Sequence, residues 1–376
     1  MKVMFFELVD SASGYYRVLL ENNELIKSGV MSVTLAAIKK TYGYSQQKFH
    51  DMCEYFMKSA DIIVMEMPAK LTLEPIIKWA NFANIPVLIE ADDMADKTTE
   101  WIDRASGGRA KDAWLQRSYL WNKADGFICS TEYLAKHYGD KFSKPAYTFM
   151  NQLDFDDGRW NVAKEKHDGI VIGFMGSQSH RPDVLIAKEA IEKILAEYPN
   201  VEFHFVGFQI GDIQHERVKY FTSFKHGVKR IVGQQEYFAL DEYPKFMAKW
   251  DIGIIPLLDN EFNRAKSDIK FLEYSRLKIP AVVSKVSTYR TVTDKVTGVL
   301  AANNTDSWYR GIKYLIDRPK KREQIGQAAY EYVEKNRKIS GHIHNYTDIL
   351  RKAIMLKGPK RKPGGIIIAS DRRIYG

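Results

Sequence analysis

Cysteine is scarce in this chain: two in 376 residues, Cys53 and Cys129, far apart and in no spaced motif. That scarcity argues against a disulfide framework and against a thiolate zinc site. It makes a reducing compartment, and so a cytoplasmic location, the expected setting. Long apolar runs are missing too. None reaches the roughly 18 residues that a membrane-spanning helix needs. The N-terminal MKVMFFELVD has a brief apolar run ending in acid, and reads as a first buried strand rather than a signal peptide. No G-x-G-x-x-G follows the first strand or the apolar run at 169–175, which makes a dinucleotide-dependent oxidoreductase a poor fit. No internal repeat of about 20–50 residues is visible.

What is present is an ordinary globular composition, 45% hydrophobic and 27% charged, at a length that suits two domains of similar size. The net charge of +9 is unevenly spread. Residues 1–150 hold 18 Lys and Arg against 19 Asp and Glu, whereas 351–376 hold 8 against 1. The excess is therefore concentrated in a C-terminal tail, 357–376, with Lys360, Arg361, Lys362, Arg372, Arg373 and Tyr375. Two readings fit it: contact with a polyanion, either nucleic acid or an anionic membrane surface, or a solvated tail that favours solubility.

Short apolar runs alternate with amphipathic segments along the first half. Strands are expected at 2–8, 61–67, 86–90, 126–130 and 146–150, and helices at 18–28, 46–59, 71–81, 112–123 and 132–138. Alternation at this spacing predicts a parallel sheet covered on both faces. Residues 154–168 are polar and aperiodic and read as a linker. A second α/β pattern follows, with strands at 169–175, 201–206, 230–232, 252–258, 280–284 and 298–301. Its helices are expected from Pro182 onward, then at 243–250, 307–316, 321–335 and 342–356. The fold class is thus α/β, with two Rossmann-like domains and a cleft between them. The domains are 1–153 and 169–340, joined by the linker at 154–168. Residues 341–376 form a last helix and the basic tail.

The densest chemistry lies in KWDIGIIPLLDNEFNRAKSDIKFLEYSRLKIPAVVS, 249–284. It reads strand, loop, helix, strand. Three cations (Arg264, Lys266, Lys270) and the carboxylate of Glu273 fall within ten residues, at a strand's carboxyl end and a helix's start. An open α/β sheet binds anionic ligands there, and a nucleotide diphosphate fits that charge. Upstream, GFMGSQSHRPD follows the first strand of the second half, where Gly176 and Ser177 let the backbone approach a phosphate closely.

These segments, followed by TGVLAANNTDSW and a two-helix finish, resemble in order and spacing the GT-B glycosyltransferases, in particular the GT4 (glycosyltransferase group 1) family with its E-x7-E motif. The resemblance covers nearly the whole chain and is densest over 170–335. It implies a nucleotide-sugar-dependent enzyme with no metal or other cofactor, its co-substrate a UDP- or GDP-sugar, retaining anomeric configuration. It also implies a last helix that crosses back onto the first domain. By the same resemblance Gly176, Ser177, Arg181, Arg264, Lys266, Ser267 and Lys270 are donor-site candidates, and Glu273 would hold the ribose hydroxyls. One departure stands out: the first glutamate of E-x7-E, which contacts the transferred sugar in relatives, is Ala265 here. Glu261, at the wrong offset, and Asp268 are the nearby acids.

The first domain is expected to supply the acceptor side. Its first strand ends in a small-residue loop with Gly14, Tyr16 and Arg17, and Arg17 is placed to reach the donor phosphates or an anionic acceptor. After the strand expected at 86–90, Asp92 and Asp93 sit at its carboxyl end, either positioning or deprotonating an acceptor hydroxyl or capping a helix. His137 and His180 are candidate cleft histidines. Asn151 opens an Asn-Gln-Leu-Asp stretch similar to the family's hinge, and 231–236 is the expected base-recognition region. The acceptor is left open between a hydroxymethylated DNA base and a glycan or lipid at the inner membrane face. A GT-B-shaped nucleotide-binding module without turnover is the third reading.

Overall fold

The computed structural model describes residues 1–7, 12–36, 58–97, 109–209, 211–221, 230–232, 235–237 and 240–360. They form two six-stranded parallel sheets. The first contains β1 (Lys2–Glu7), β2 (Met31–Ala36), β3 (Ile62–Glu66), β4 (Val87–Ala91), β5 (Gly126–Cys129) and β6 (Ala146–Thr148), in the order β2-β1-β3-β4-β5-β6. The second contains β7 (Ile170–Met175), β8 (Val201–Val206), β9 (Val218–Phe221), β12 (Ile252–Ile255), β13 (Ala281–Ser284) and β14 (Val299–Ala301), in the order β14-β13-β12-β7-β8-β9. Every residue of β3, β4, β12 and β13 is buried, as expected of parallel strands covered by helices on both faces.

The sequence pattern missed β2 and β9. Both are edge strands, and short edge strands carry a weaker apolar signal than central ones. The strand expected at 230–232 exists as β10 (Arg230–Val232), but it pairs antiparallel with β11 (Gln235–Tyr237) in a separate hairpin rather than in the main sheet. The helix expected over 18–28 begins earlier: Ala12–Gly14 leads into a wide π-helical turn, Tyr15–Leu19, and then Leu20–Lys27. The helix expected at 46–59 falls almost wholly outside the described residues, as does the tail beyond Lys360.

The last helix, Ile339–Lys357, lies against the first sheet. Tyr346 stacks near Phe5 (ring centroids 6.3 Å apart) and meets Phe149 edge-on at 4.9 Å. Lys357 pairs with Asp125 at 2.5 Å. One apolar core therefore runs from Phe5 and Val64 through Tyr346 to Val283 and Phe271 in the second half.

Two glycines set the height of the helix that follows β12. An added Cβ at Gly173 would lie 1.9 Å from the Trp250 ring, and one at Gly253 would lie 2.4 Å from the Tyr274 ring. The bare backbone lets Trp250 and Tyr274 lie flat on the sheet, in a T-shaped contact at 5.5 Å. From there the Tyr274 hydroxyl accepts a hydrogen bond from the Met175 amide at 3.1 Å, which fixes the helix relative to the end of β7.

Arg17, in the π-helical turn, is fully buried. It pairs with Glu90 at the end of β4 and donates to Phe149 O at 2.7 Å and to Asn151 Oδ1 at 2.8 Å. Burial holds the Glu90 carboxyl well above its ordinary range, while Arg17 pulls it back.

Gly173→Ala should lose about 1–3 kcal/mol or more by overpacking against Trp250, read as a lower urea midpoint; an unchanged midpoint would contradict the contact. Arg17→Met should cost about 3–5 kcal/mol because it strands a buried carboxylate. With its cation gone, Glu90 has a folded pKa far above its unfolded value. The penalty is then large at neutral pH and shrinks as pH falls toward the unfolded pKa, where keeping Glu90 protonated costs less. Denaturant titrations near pH 7 and pH 5 check both sign and size.

Candidate active site

In each sheet the chain reverses its direction of travel once, between β1 and β3 in the first and between β7 and β12 in the second. The crevice outside the carboxyl ends at such a point is where open α/β sheets bind ligands. Here the two crevices face each other, and side chains bridge them.

From the second domain, β7 is followed by Gly176, whose amide donates to Val206 O at 3.0 Å. Ser177 follows, its hydroxyl 2.7 Å from that of Ser179. His180 is buried and sits with Nδ1 2.8 Å from Asp183 Oδ2. A carboxylate there requires the proton on Nδ1, so Nε2 is free to accept a hydrogen bond from the Lys270 ammonium at 2.9 Å. Asp183 lies in the first turn of the helix Arg181–Leu185. Its other oxygen also accepts from the Leu258 amide at 2.9 Å and from Asn263 Nδ2 at 2.8 Å.

After β12, Asn260 caps a short helix, Glu261–Arg264, and Asp268 sits at the cap position of Ile269–Arg276. Lys266 and Lys270 flank the start of that second helix, and Glu273 lies on its buried face. Lys266 Nζ reaches Asp93 at 3.2 Å and lies 4.5 Å from the centre of the Phe262 ring. Ser267 Oγ accepts from Asn151 Nδ2 at 2.8 Å, and Glu273 accepts from the Tyr16 hydroxyl at 3.0 Å. On the first-domain side, Ser13 donates to Asp92 at 2.5 Å, and Gly14 is buried at the start of the Tyr16 turn. Asp92, Asp93, Tyr16, Lys266, Ser267, Lys270 and Glu273 thus meet across one cleft, together with His180 and Asn151.

Burial shapes the electrostatics. It lowers Lys270 to about 8, with Lys266 adding to the effect and Glu273, Asp183 and Asp93 opposing it. It raises Glu273 to about 7 against the pull of Lys270 and the Tyr16 hydrogen bond. It also raises Asp92, helped by neighbouring Asp93 and opposed by Ser13, Arg17 and Lys266.

The structure changes the reading of several expected residues. Arg17 cannot reach a ligand in the cleft, because it is buried and its guanidinium is spent on Glu90, Phe149 and Asn151. Arg181 is turned to Asp212, and Arg264 is half exposed and paired with Asp259 at 2.7 Å. Asp92 and Asp93 do not cap a helix: the chain after them runs through bends to Lys97. Of the acids near Ala265, Glu261 pairs with Lys97 at 2.5 Å, and Asp268 is held by Arg337 at 2.5 Å and by Thr291 at 3.1 Å. His137 is bound to Asp96 at 2.9 Å.

Ala265 itself is fully buried and, with Phe262, belongs to the apolar cluster of the first domain. Thr131, which caps the helix Glu132–Phe142, donates to its carbonyl at 3.0 Å. Sequence reasoning missed this contact. Its one visible trace is the loss of the family's glutamate, which a buried apolar position would not accommodate. Among the described residues no three His, Cys, Asp or Glu side chains converge as a metal-binding group, and no helix is long and apolar enough to cross a membrane.

Residues 169–318 match the family model described as glycosyl transferases group 1. No curated protein matches the chain by sequence. Among solved structures, an alpha-glucosyltransferase in complex with UDP and a 13-mer DNA containing an HMU base superposes with a TM-score of 0.66 at 14% identity, covering 93% of this chain and 99% of that one. Alr3699/HepE from Anabaena in complex with UDP superposes with a TM-score of 0.60 at 13% identity, covering 94% of this chain and 100% of that one. Sucrose-phosphate synthase from Thermosynechococcus elongatus gives 0.58 at 13% identity, over 95% and 100%. The second domain thus matches glycosyl transferases group 1, and the two facing parallel sheets share the GT-B fold of these solved structures.

Proposed function

We propose that the cleft transfers a sugar from a UDP- or GDP-sugar to an acceptor hydroxyl without a metal, and with retention of anomeric configuration. The observation that carries this reading is the pair of lysines, Lys266 and Lys270, at the start of a helix beside the end of β7. The bond between the anomeric carbon and the diphosphate oxygen breaks, leaving negative charge on the diphosphate. Two fixed ammonium groups and helix amides stabilise that charge in place of a divalent ion. Gly176 and Ser177 form the loop along which the phosphates lie. Ser267 and Arg181 stand at the edges of this site, Ser267 tied to Asn151 and Arg181 to Asp212.

Glu273 is assigned to the ribose hydroxyls. It is buried and holds one hydrogen bond, from Tyr16, and a carboxylate can accept from two vicinal hydroxyls at once. Asp92 is assigned to the acceptor hydroxyl. Its raised pKa suits a group that orients an O–H and takes its proton as the new C–O bond forms, whereas Asp93 is engaged with Lys266.

For the acceptor, the reading we favour is a hydroxymethylated DNA base. It is supported by the likeness to the DNA-bound alpha-glucosyltransferase and by the Lys and Arg of 357–376. A glycan or lipid at an anionic membrane face is the second reading, and the same basic tail favours it.

Nucleoside diphosphate release from a panel of UDP- and GDP-sugars, with and without hydroxymethylated DNA, tests both levels. Release that rises with that DNA, with the matching gain in base mass, supports the favoured acceptor. Release indifferent to DNA moves the acceptor to glycans or lipids, and silence across the panel overturns the donor assignment. Lys270→Ala should lower turnover by about 10²–10³-fold, the scale of removing one charge-stabilising donor at a reacting centre. Glu273→Ala should act chiefly by raising the donor KM. A Lys270→Ala enzyme with native turnover would remove the lysine from the account.

A further inference from the structure

His180 enters the site from the second domain, and the transfer chemistry above gives it no task. Its surroundings are nonetheless built. Asp183 grips Nδ1 at 2.8 Å and is itself immobilised by the Leu258 amide and Asn263. The Phe174 ring stands edge-on at 6.1 Å. An added Cβ at Gly176 would come within 3.1 Å of the imidazole, so the loop backbone closes on the ring as well.

We infer that His180 is a positioning residue: locked by Asp183 in the Nδ1-protonated tautomer, it holds the Lys270 ammonium through Nε2 and aims it at the donor diphosphate. This rests on the donor-site reading above and adds to it a named device for presenting the cation.

A carboxylate in the same place would hold a lysine equally well, but it would cancel the charge and compete with phosphate. A neutral imidazole orients the ammonium and leaves its charge available. The imidazole stays neutral because burial and the nearby lysine lower it to about 4. The charged groups facing Lys270 are Lys266 from the preceding loop, Glu273 on its own helix, Asp183 behind the histidine and Asp93 from the first domain. With Lys270 lowered to about 8, an arriving diphosphate adds the negative charge the ammonium lacks and raises its proton affinity. Binding should therefore take up a proton at alkaline pH, and affinity should fall as pH rises past about 8.

Asp183→Asn tests the lock, because an amide donating to Nδ1 forces the proton onto Nε2, facing the ammonium. His180→Phe removes the acceptor, and His180→Gln restores one. The experiment is calorimetric binding of UDP and GDP across about pH 6–9.5, together with ¹⁵N NMR of the wild-type imidazole. We expect Asp183→Asn and His180→Phe each to bind about tenfold more weakly, the scale of one hydrogen bond to a charged group. Their alkaline fall in affinity should move to lower pH, and His180→Gln should recover most of the loss. The wild-type spectrum should show Nδ1 protonated and Nε2 bare. Folded variants with unchanged affinity and pH profile would overturn the inference, as would an Nε2-protonated tautomer, which is read on the native protein and needs no variant. If Lys270→Ala weakens binding while His180→Phe does not, the donor site stands and the role of His180 falls. If the wild type binds neither diphosphate, both fall.

Discussion

A guanidinium buried between the two sheets is the interaction on which the site depends. Arg337, only 2% exposed, donates to the Asn151 carbonyl at 2.8 Å and pairs with Asp268 at 2.5 Å. Asp268 stands at the start of the helix that carries Lys270 and Glu273. Asn151 is the residue through which the chain leaves the first sheet, and its side chain accepts from Arg17 and donates to Ser267. A short backbone ladder, Leu153 to Arg337 at 2.8 Å and Ile339 to Leu153 at 2.9 Å, closes the same junction. Burying such charges is costly unless each is met by a partner. The junction meets that condition, so the helix start and the chain crossing are set by one network.

That frame makes sense of the electrostatics in front of it. Lys266 is met by an acidic residue of the opposite domain, Lys270 by a neutral ring, and Glu273 by a phenol of the opposite domain. Each contact is of a kind that an incoming anion or sugar hydroxyl can replace. The raised Glu273 and lowered Lys270 record the same strain: two charges held in a confined cleft with incomplete compensation. On the proposed reading a nucleoside diphosphate would supply both missing partners, phosphate for the lysines and hydroxyls for the carboxylate.

Much of this was legible in the sequence, and what was missed has a common cause. The strand, loop, helix and strand over 249–284 show as an uninterrupted pattern, because buried parallel strands read as solid apolar runs and the helix between them keeps one apolar face. Lys266, Lys270 and Glu273 could be grouped because they are close along the chain. Side-chain destinations set by distant partners could not be read. Arg17 turns inward to Glu90, 73 residues away, and Tyr16 crosses to Glu273, 257 residues away. Nothing local separates such an arginine from one that faces a ligand. The edge strands β2 and β9 escaped because an edge needs fewer apolar residues. Ala265 was visible as a departure from the motif, but its burial against the first domain was not.

If the loop after β7 and the helix Ile269–Arg276 form one diphosphate site, as proposed, both should respond together when the protein is saturated with UDP or GDP, and amide hydrogen exchange reads that response. We expect slowed exchange in 176–183 and 266–273 together, with a smaller effect near Tyr16, and loss of that pattern in Lys270→Ala. Protection confined to other parts of the chain, or a native pattern in Lys270→Ala, would contradict it.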